Sequence, residues 1–393
     1  MKDSADRIYS LKGVHYWAIF TAAVTFLLLC VGGLVTSNEA GMSVPDWPNT
    51  YGYNMFLFPY SRWVGGIFYE HSHRLIATVV GLLTAVLACW FWIKETKGSI
   101  RWQGVIGFVV ILALLGVRKM PMFWALASLS FPAMAYGFYR FSQDPKSFRW
   151  LGLVAFAAVI LQGILGGLRV VEHADEIGIF HTMLAQTFFT GIVLLCVATS
   201  RSFQEKRWAD YEPNPTLKWW AAGATALIFL QLSLGATMRH EHIGLSIPDF
   251  PLAYGQILPN TTPAALEKIN EDRQTHDLKP TSATQIWIQM THRGVAALIF
   301  CAALGAFLKA RRSAKSIRLW TTVLLGMLLI QICLGAWTIW SGKAADVATA
   351  HMALGALSLV TSAVLTFRLF RGGRAKDFVL PDAPNPRLMA GVA

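Results

Sequence analysis

Apolar runs close to twenty residues long recur along the whole chain, and most of them end in short clusters of Lys and Arg. A bilayer core about 30 Å thick takes about twenty apolar residues to cross as a helix. The runs predict eight spanning helices, at roughly 15–36, 71–93, 149–170, 178–199, 217–238, 285–308, 318–340 and 346–370. A further apolar stretch, 103–140, is interrupted by Arg118, Lys119 and Pro121. It reads as an extra hairpin, either two more spans or a re-entrant loop. The fold class this predicts is an all-α integral membrane protein of eight main helices arranged as two four-helix bundles, plus that hairpin.

The two-bundle expectation comes from an internal repeat. Gly41-Met-Ser-Val-Pro-Asp-Trp-Pro-Asn-Thr-Tyr-Gly52 matches Gly244-Leu-Ser-Ile-Pro-Asp-Phe-Pro-Leu-Ala-Tyr-Gly255. His73-Arg74 and His292-Arg293 follow in the same order, then Gln162 and Gly166 against Gln331 and Gly335, then His181 against His351. Parallel repeats of this kind are common in membrane proteins. The expected division is an N-terminal half at 1–200, a polar linker with two prolines at 201–216, a C-terminal half at 217–370 and a tail at 371–393.

Composition agrees and adds an orientation. Hydrophobic residues make up 54% of the chain and charged ones 14%, against about 25% charged in an average soluble domain. The net charge of +12 would suit nucleic acid only if it formed one soluble face. Instead it sits in short loops, which excludes that class. Lys94, Lys97, Arg101, Arg201, Lys206, Arg207, Lys309, Arg311, Arg312, Lys315, Arg318, Arg368, Arg371, Arg374 and Lys376 share one side. The long loops 37–70 and 239–284, richer in Pro, Gly, Asn and Asp, occupy the other. By the positive-inside rule both termini are expected in the cytoplasm. Arg118 and Lys119 run against that rule if the hairpin spans fully, which favours a re-entrant or imperfectly inserted hairpin. The N-terminus lacks the Arg- and Ser-rich character of a transit peptide, so a bacterial plasma (inner) membrane is expected. All five cysteines fall within apolar runs, with no CxxC site.

Four of the ten histidines carry a ligand hypothesis. His73, His181, His292 and His351 each lie within the first turns of an even-numbered span, at one depth near the outer side. A ring nitrogen in hydrocarbon must find a partner. A lone histidine finds one on a neighbouring helix, but four at matched positions call for a metal. Zinc usually takes three or four ligands together. Two imidazoles on facing helices suit the axial positions of a haem iron. Gly163, Gly166, Gly167 and Gly335 would leave room for a flat macrocycle, or serve ordinary close packing. His71 points about 160° away from His73 on a helix and is expected against another helix or the headgroups. His15 lies on the opposite side, and His173, His240, His242 and His276 are expected to be solvated in outer loops. Arg74 and Arg293 are either haem-propionate contacts or snorkelling side chains.

Glu70 breaks the symmetry. It shares a helix face with His73, whereas the residue at its position in the second half is Gln289. A carboxylate at membrane depth is a functional-site candidate, the alternative being a hydrated helix-end residue. The Pro-Asp-aromatic-Pro loops predict rigid turns that lay a ring on the interface, as structural lids or as direct haem contacts.

Taken together, Glu70-x-x-His73-Arg74, the Pro-Asp-Trp-Pro loop, Leu161 to Gly167, His181 and the second-half set of Pro-Asp-Phe-Pro, His292-Arg293 and His351 resemble the haem A synthase family over residues 15–370. The resemblance implies an oxidoreductase that converts the C8 methyl of haem O to a formyl group, giving haem A for cytochrome c oxidase. It implies His73 and His181 as substrate-haem ligands, Glu70 as the essential acidic residue, and His292 and His351 as ligands to the iron of a resident haem b. Haem O synthase and oxidase assembly factors are the implied partners. Many family members carry a cysteine pair in the first outer loop; here Ser43 and Asn49 lie in that region, so no mechanism through that thiol pair applies. A di-haem b-type electron-transfer protein, such as a quinol oxidoreductase, would also explain paired histidines, but not Glu70 in one half only. A transporter built from repeats would explain the fold but not the four histidines.

Overall fold

The computed structural model describes residues 2–117, 119–204 and 215–372. Arg118, most of the linker (Lys206 and Arg207 included) and the tail with Arg374 and Lys376 lie outside the described residues. The helices are α1 (Lys2–Ser37), α2 (Gly65–Glu95), α3 (Gly98–Leu115), α4 (Met120–Gln143), α5 (Phe148–Glu172), α6 (Asp175–Thr199), α7 (Arg201–Gln204), α8 (Pro215–His240), α9 (Pro263–Thr275), α10 (Ala283–Ala310), α11 (Lys315–Trp340) and α12 (Ala345–Gly372). Among the described residues nine helices are long and apolar enough to cross a membrane. They include all eight predicted spans, because each apolar run is as long as the bilayer is thick.

Two closed squares of helices result. In the first, α1 packs on α2, α2 on α5, α5 on α6 and α6 on α1. In the second, α8 packs on α10, α10 on α11, α11 on α12 and α12 on α8. The squares meet through α1 against α12 and through α6 against both α8 and α12. Phe188, Phe189 and Ile192 of α6 share one apolar cluster with Ala356, Val360 and Val364 of α12. Gly33 of α1 has no side chain where Met352 and Thr349 of α12 press against it, the close approach that small residues allow between membrane helices.

The hairpin packs along the first square, α4 against α5 and α3 against α2; of its two helices, α3 is among the nine long and apolar enough to cross a membrane and α4 is not. At one end Phe123 of α4 lies 4.4 Å, centroid to centroid, from Trp47 of the first long loop. At the other end Tyr136 of α4 packs edge-on against Trp150, near the start of α5.

The two long loops fold alike. In the first, β1 (Asn49–Thr50) pairs with β2 (Tyr53–Asn54) across Tyr51 and Gly52. Both turn residues have positive φ, 49° and 76°, the geometry of a tight hairpin turn that glycine favours. The Asp46 carboxylate accepts the backbone N–H groups of both. In the second loop Asp249 does the same for Tyr254 and Gly255, whose φ values are 54° and 74°. Each tyrosine hydroxyl donates back to a loop carbonyl, Tyr51 to Ser43 and Tyr254 to Ser246. The second loop carries α9 in addition, and Arg273 at its end grips the Lys279 and Leu245 carbonyls.

Candidate functional site

The four histidines occupy diagonals of the squares. His73 is on α2 and His181 on α6; His292 is on α10 and His351 on α12. Each first-named helix packs against both remaining helices of its square rather than against its diagonal partner. The two histidines of each pair therefore stand on diagonally opposed helices of one square.

Each ring is backed by a glycine on the adjacent helix. A Cβ built on Gly32 of α1 would lie 3.1 Å from His73 Nε2, and one on Gly166 of α5 would lie 2.8 Å from His181 Cε1. In the second square, Gly235 of α8 backs His292 at 3.5 Å and Gly335 of α11 backs His351 at 3.1 Å. These glycines match between the repeats. Two of the four positions expected to clear a macrocycle, Gly166 and Gly335, thus clear a histidine ring instead. Gly167 takes the Trp47 indole, and only Gly163 has open space beside it.

Hydrogen bonding orients the His181 ring and leaves one ring nitrogen of His292 without a partner among the described residues. His181 Nδ1 lies 3.1 Å from the Gln162 carbonyl; a carbonyl only accepts, so Nδ1 carries the proton and the lone pair is on Nε2, which the Gln162 side-chain amide meets only at a long 3.4 Å, a contact that a metal there would replace. The Gln162 amide also donates to the His181 carbonyl at 2.9 Å, and Gln331 donates to the His351 carbonyl at 2.7 Å. His292 Nδ1 is buried with no partner among the described residues. Burying a ring nitrogen unpaired costs free energy, which a ligand in that space would offset. Among the described residues no three His, Cys, Asp or Glu side chains gather; the histidines stand as pairs.

Glu70 is 4% exposed, so it is not a hydrated helix end. One carboxylate oxygen accepts the Val44 N–H at 2.8 Å and the other pairs with Arg74 at 2.6 Å. Arg74 also donates to the carbonyls of Asp46, Asn49 and Val44. In the second half Gln289 accepts the Ile247 N–H at 2.8 Å and donates to the Ile247 carbonyl, while Arg293 donates to the carbonyls of Asp249 and Leu252. Both arginines therefore fasten the long loops onto the histidine helices, a use distinct from snorkelling.

His71 is fully buried, bonded to Thr50 at 3.1 Å and packed against Phe58 and Trp63 of the loop. His15 meets Thr199 at the opposite end of the bundle. His240 departs from the solvated loop histidine expected: it closes α8, is 3% exposed, and bonds Thr182 of α6 at 3.1 Å. Arg169 and Arg239 were not singled out from the sequence, yet both are largely buried beside the histidine pairs. Arg169 lies one turn along α5 from Gly166, which backs His181, and Arg239 one turn along α8 from Gly235, which backs His292. The available signal was their position within a turn of the predicted span ends on the loop side.

Fold and site together define an integral membrane protein of two repeated four-helix bundles, each with a diagonal pair of histidines near its loop face. The model of one family, described as cytochrome oxidase assembly protein, matches residues 15–122 and 118–364. The chain belongs to that family. It is 24% identical over 392 residues to a protein of Caulobacter sp. (strain K31) named heme A synthase, covering 92% of this chain and 97% of that one. It is 26% identical to the heme A synthase of Sphingopyxis alaskensis, covering 90% and 91%. It is 24% identical to that of Shouchella clausii, covering 78% and 86%.

Proposed function

We propose that this protein is a haem A synthase, an oxidoreductase of the membrane that oxidises the C8 methyl of haem O, through the alcohol, to the formyl group of haem A. The observation that carries the reading is the pair of crossed-diagonal histidine sites at matched positions in a chain of this family. Residues 1–200 form the substrate half, in which His73 and His181 hold haem O. Residues 217–370 form the second half, in which His292 and His351 ligate a resident haem b. When bound, that haem supplies one-electron redox chemistry.

The chain's own residues do the rest. The glycine backing fixes the ring of each ligand, and the Gln162 carbonyl fixes the His181 tautomer. The long loops, fastened by Arg74 and Arg293, close the loop face of each bundle and limit the entry of water. Glu70 is the acidic residue of the substrate site. It acts as a positioning residue: it ties the helix that carries His73 to the first loop and puts a negative charge beside Arg74. In this reading the loop face is the outer face of a bacterial plasma membrane, both termini are cytoplasmic, and the product passes to cytochrome c oxidase with its assembly factors, haem O being delivered by haem O synthase.

Expression in cells that make haem O, followed by pigment extraction and chromatography, tests the reading. Haem A appearing only with the active chain is the expected result. Haem b alone, at two per chain and with no haem A formed, would overturn it in favour of an electron carrier.

A further inference from the structure

Buried cations need counter-charges, and of two arginines beside the histidine pairs one has none among the described residues and the other only a long, half-exposed one. Arg239, in the last turn of α8, donates to the Gly33 carbonyl and the Ser37 hydroxyl of α1. No carboxylate of the described residues lies within ion-pair distance of it. Arg169, in the last turn of α5, makes no hydrogen bond among the described residues, and its Nε is buried without a partner. Its one ion pair is a 3.9 Å contact with Asp175, whose side chain is 46% exposed. Room for its guanidinium is built in: a Cβ on Gly41 would lie 2.9 Å from Arg169 Nη1, and one on Gly178 would lie 2.8 Å from Arg169 Nε.

The repeat does not account for either residue. Gly41 matches Gly244, and five positions before each stand Thr36 and Arg239. Gly166 matches Gly335, and three positions after each stand Thr338 and Arg169. Each bundle thus carries one under-paired arginine on a different helix of its square, while Arg74 and Arg293, the arginines the repeat does share, are engaged by loop carbonyls. A guanidinium with free N–H groups, held at the loop face next to a pair of diagonal imidazoles, is complementary to a carboxylate on a planar ligand seated between those imidazoles.

We propose that Arg169 and Arg239 are the carboxylate anchors of the two sites, Arg169 gripping a propionate of the haem between His73 and His181, and Arg239 a propionate of the haem between His292 and His351. This rests on the haem reading above. The two arginines differ in setting, so the two anchors differ in strength. Arg239 is preset by two hydrogen bonds to α1 and suits a haem that stays. Arg169, without a hydrogen bond of its own, suits one that enters and leaves.

The test uses the full-length protein in detergent and reads binding by optical titration, not turnover. Haem and its dimethyl ester, which lacks the propionate charges, are titrated into the wild type and into Arg169→Gln, Arg169→Lys, Arg239→Gln and Arg239→Lys. The wild type should prefer haem to the ester by about tenfold to a hundredfold at each site, the range for hydrogen bonds to charged groups. Arg169→Gln should erase that preference at the first site while the second keeps its low-spin spectrum, which also shows that the chain has folded. Arg239→Gln should do the reverse. The lysine variants should restore part of the preference, since they keep the charge without the fork. A wild type that binds neither haem nor ester would overturn the haem reading itself. A wild type that binds both equally, or glutamine variants that keep the full preference, would overturn the anchor assignment alone and leave the guanidinium groups to another anion, such as a lipid phosphate.

Discussion

Glu70 and Arg74 form an ion pair at 2.6 Å, one helical turn apart, with both side chains almost closed to solvent. Gln289 stands where Glu70 does in the other repeat and fastens Ile247 as Glu70 fastens Val44. The second half therefore demonstrates that an amide fits this position. Glu70→Gln should fold, keep the Val44 bond and bind both haems, having lost only the charge beside Arg74. With that charge no longer holding Arg74 and the first loop, turnover measured as haem A formed should fall by about tenfold to a hundredfold. An unchanged rate would reduce Glu70 to loop fastening. Glu70→Ala, by contrast, leaves Arg74 buried and unpaired and should cost about 3 kcal/mol or more in stability, seen as a lowered thermal midpoint.

The histidine pairs separate the halves. His292→Ala or His351→Ala should remove the low-spin, six-coordinate spectrum of the resident haem, since two imidazoles supply its strong ligand field. His73→Ala or His181→Ala should leave that spectrum in place and abolish conversion of haem O. Four variants with one shared spectrum and one shared activity would refute the division of labour.

What the sequence could reveal followed the length scale of each signal. The eight spans were legible because each apolar run matches the bilayer, and the matched histidines were legible because the repeat sets them against each other. Arg169, Arg239 and His240 were not, because each occurs in one half only, and the surroundings of Arg239 and His240 depend on how the two squares meet. His240 at the edge of a predicted loop looks solvated until α8 is packed on α6, where it meets Thr182. The loop-fastening role of Arg74 depends on a chain reversal some 25 to 30 residues upstream, which no local spacing encodes.

Topology gives a test that needs no haem. Reporter fusions after residues 55, 173, 260 and 343 should report the outer side, and fusions after 97, 207, 313 and 374 the cytoplasm, as the basic loops require. A fusion after Val117 is the informative one. With Phe123 against Trp47, the tip of the hairpin belongs at the level of the first long loop and should report the outer side. A cytoplasmic signal there would favour the re-entrant reading.

The glycines behind the four rings offer a graded series. Gly→Ala inside a helix is worth up to about 1 kcal/mol in favour of the helix, so a loss of binding would have to come from what the new Cβ meets. On Gly235 it would sit 3.5 Å from the His292 ring, an ordinary contact, and Gly235→Ala should leave the haem spectrum as it is. On Gly335 and Gly32 the distance is 3.1 Å, so the His351 and His73 rings must yield by a few tenths of an ångström. On Gly166 it is 2.8 Å, too close for the His181 ring to stay. That ring is also tied to the Gln162 carbonyl on the same helix, so it cannot move away without giving up the bond that sets its tautomer. Disturbing such a bond typically costs about tenfold to a hundredfold in metal affinity. Optical titration of haem into the four alanine variants should therefore rank Gly235→Ala as unchanged, Gly335→Ala and Gly32→Ala as intermediate, and Gly166→Ala as the weakest binder. If Gly166→Ala bound haem as tightly as Gly235→Ala, the ring of His181 would not be held where its glycine lets it sit, and its assignment as a ligand would lose its geometric support.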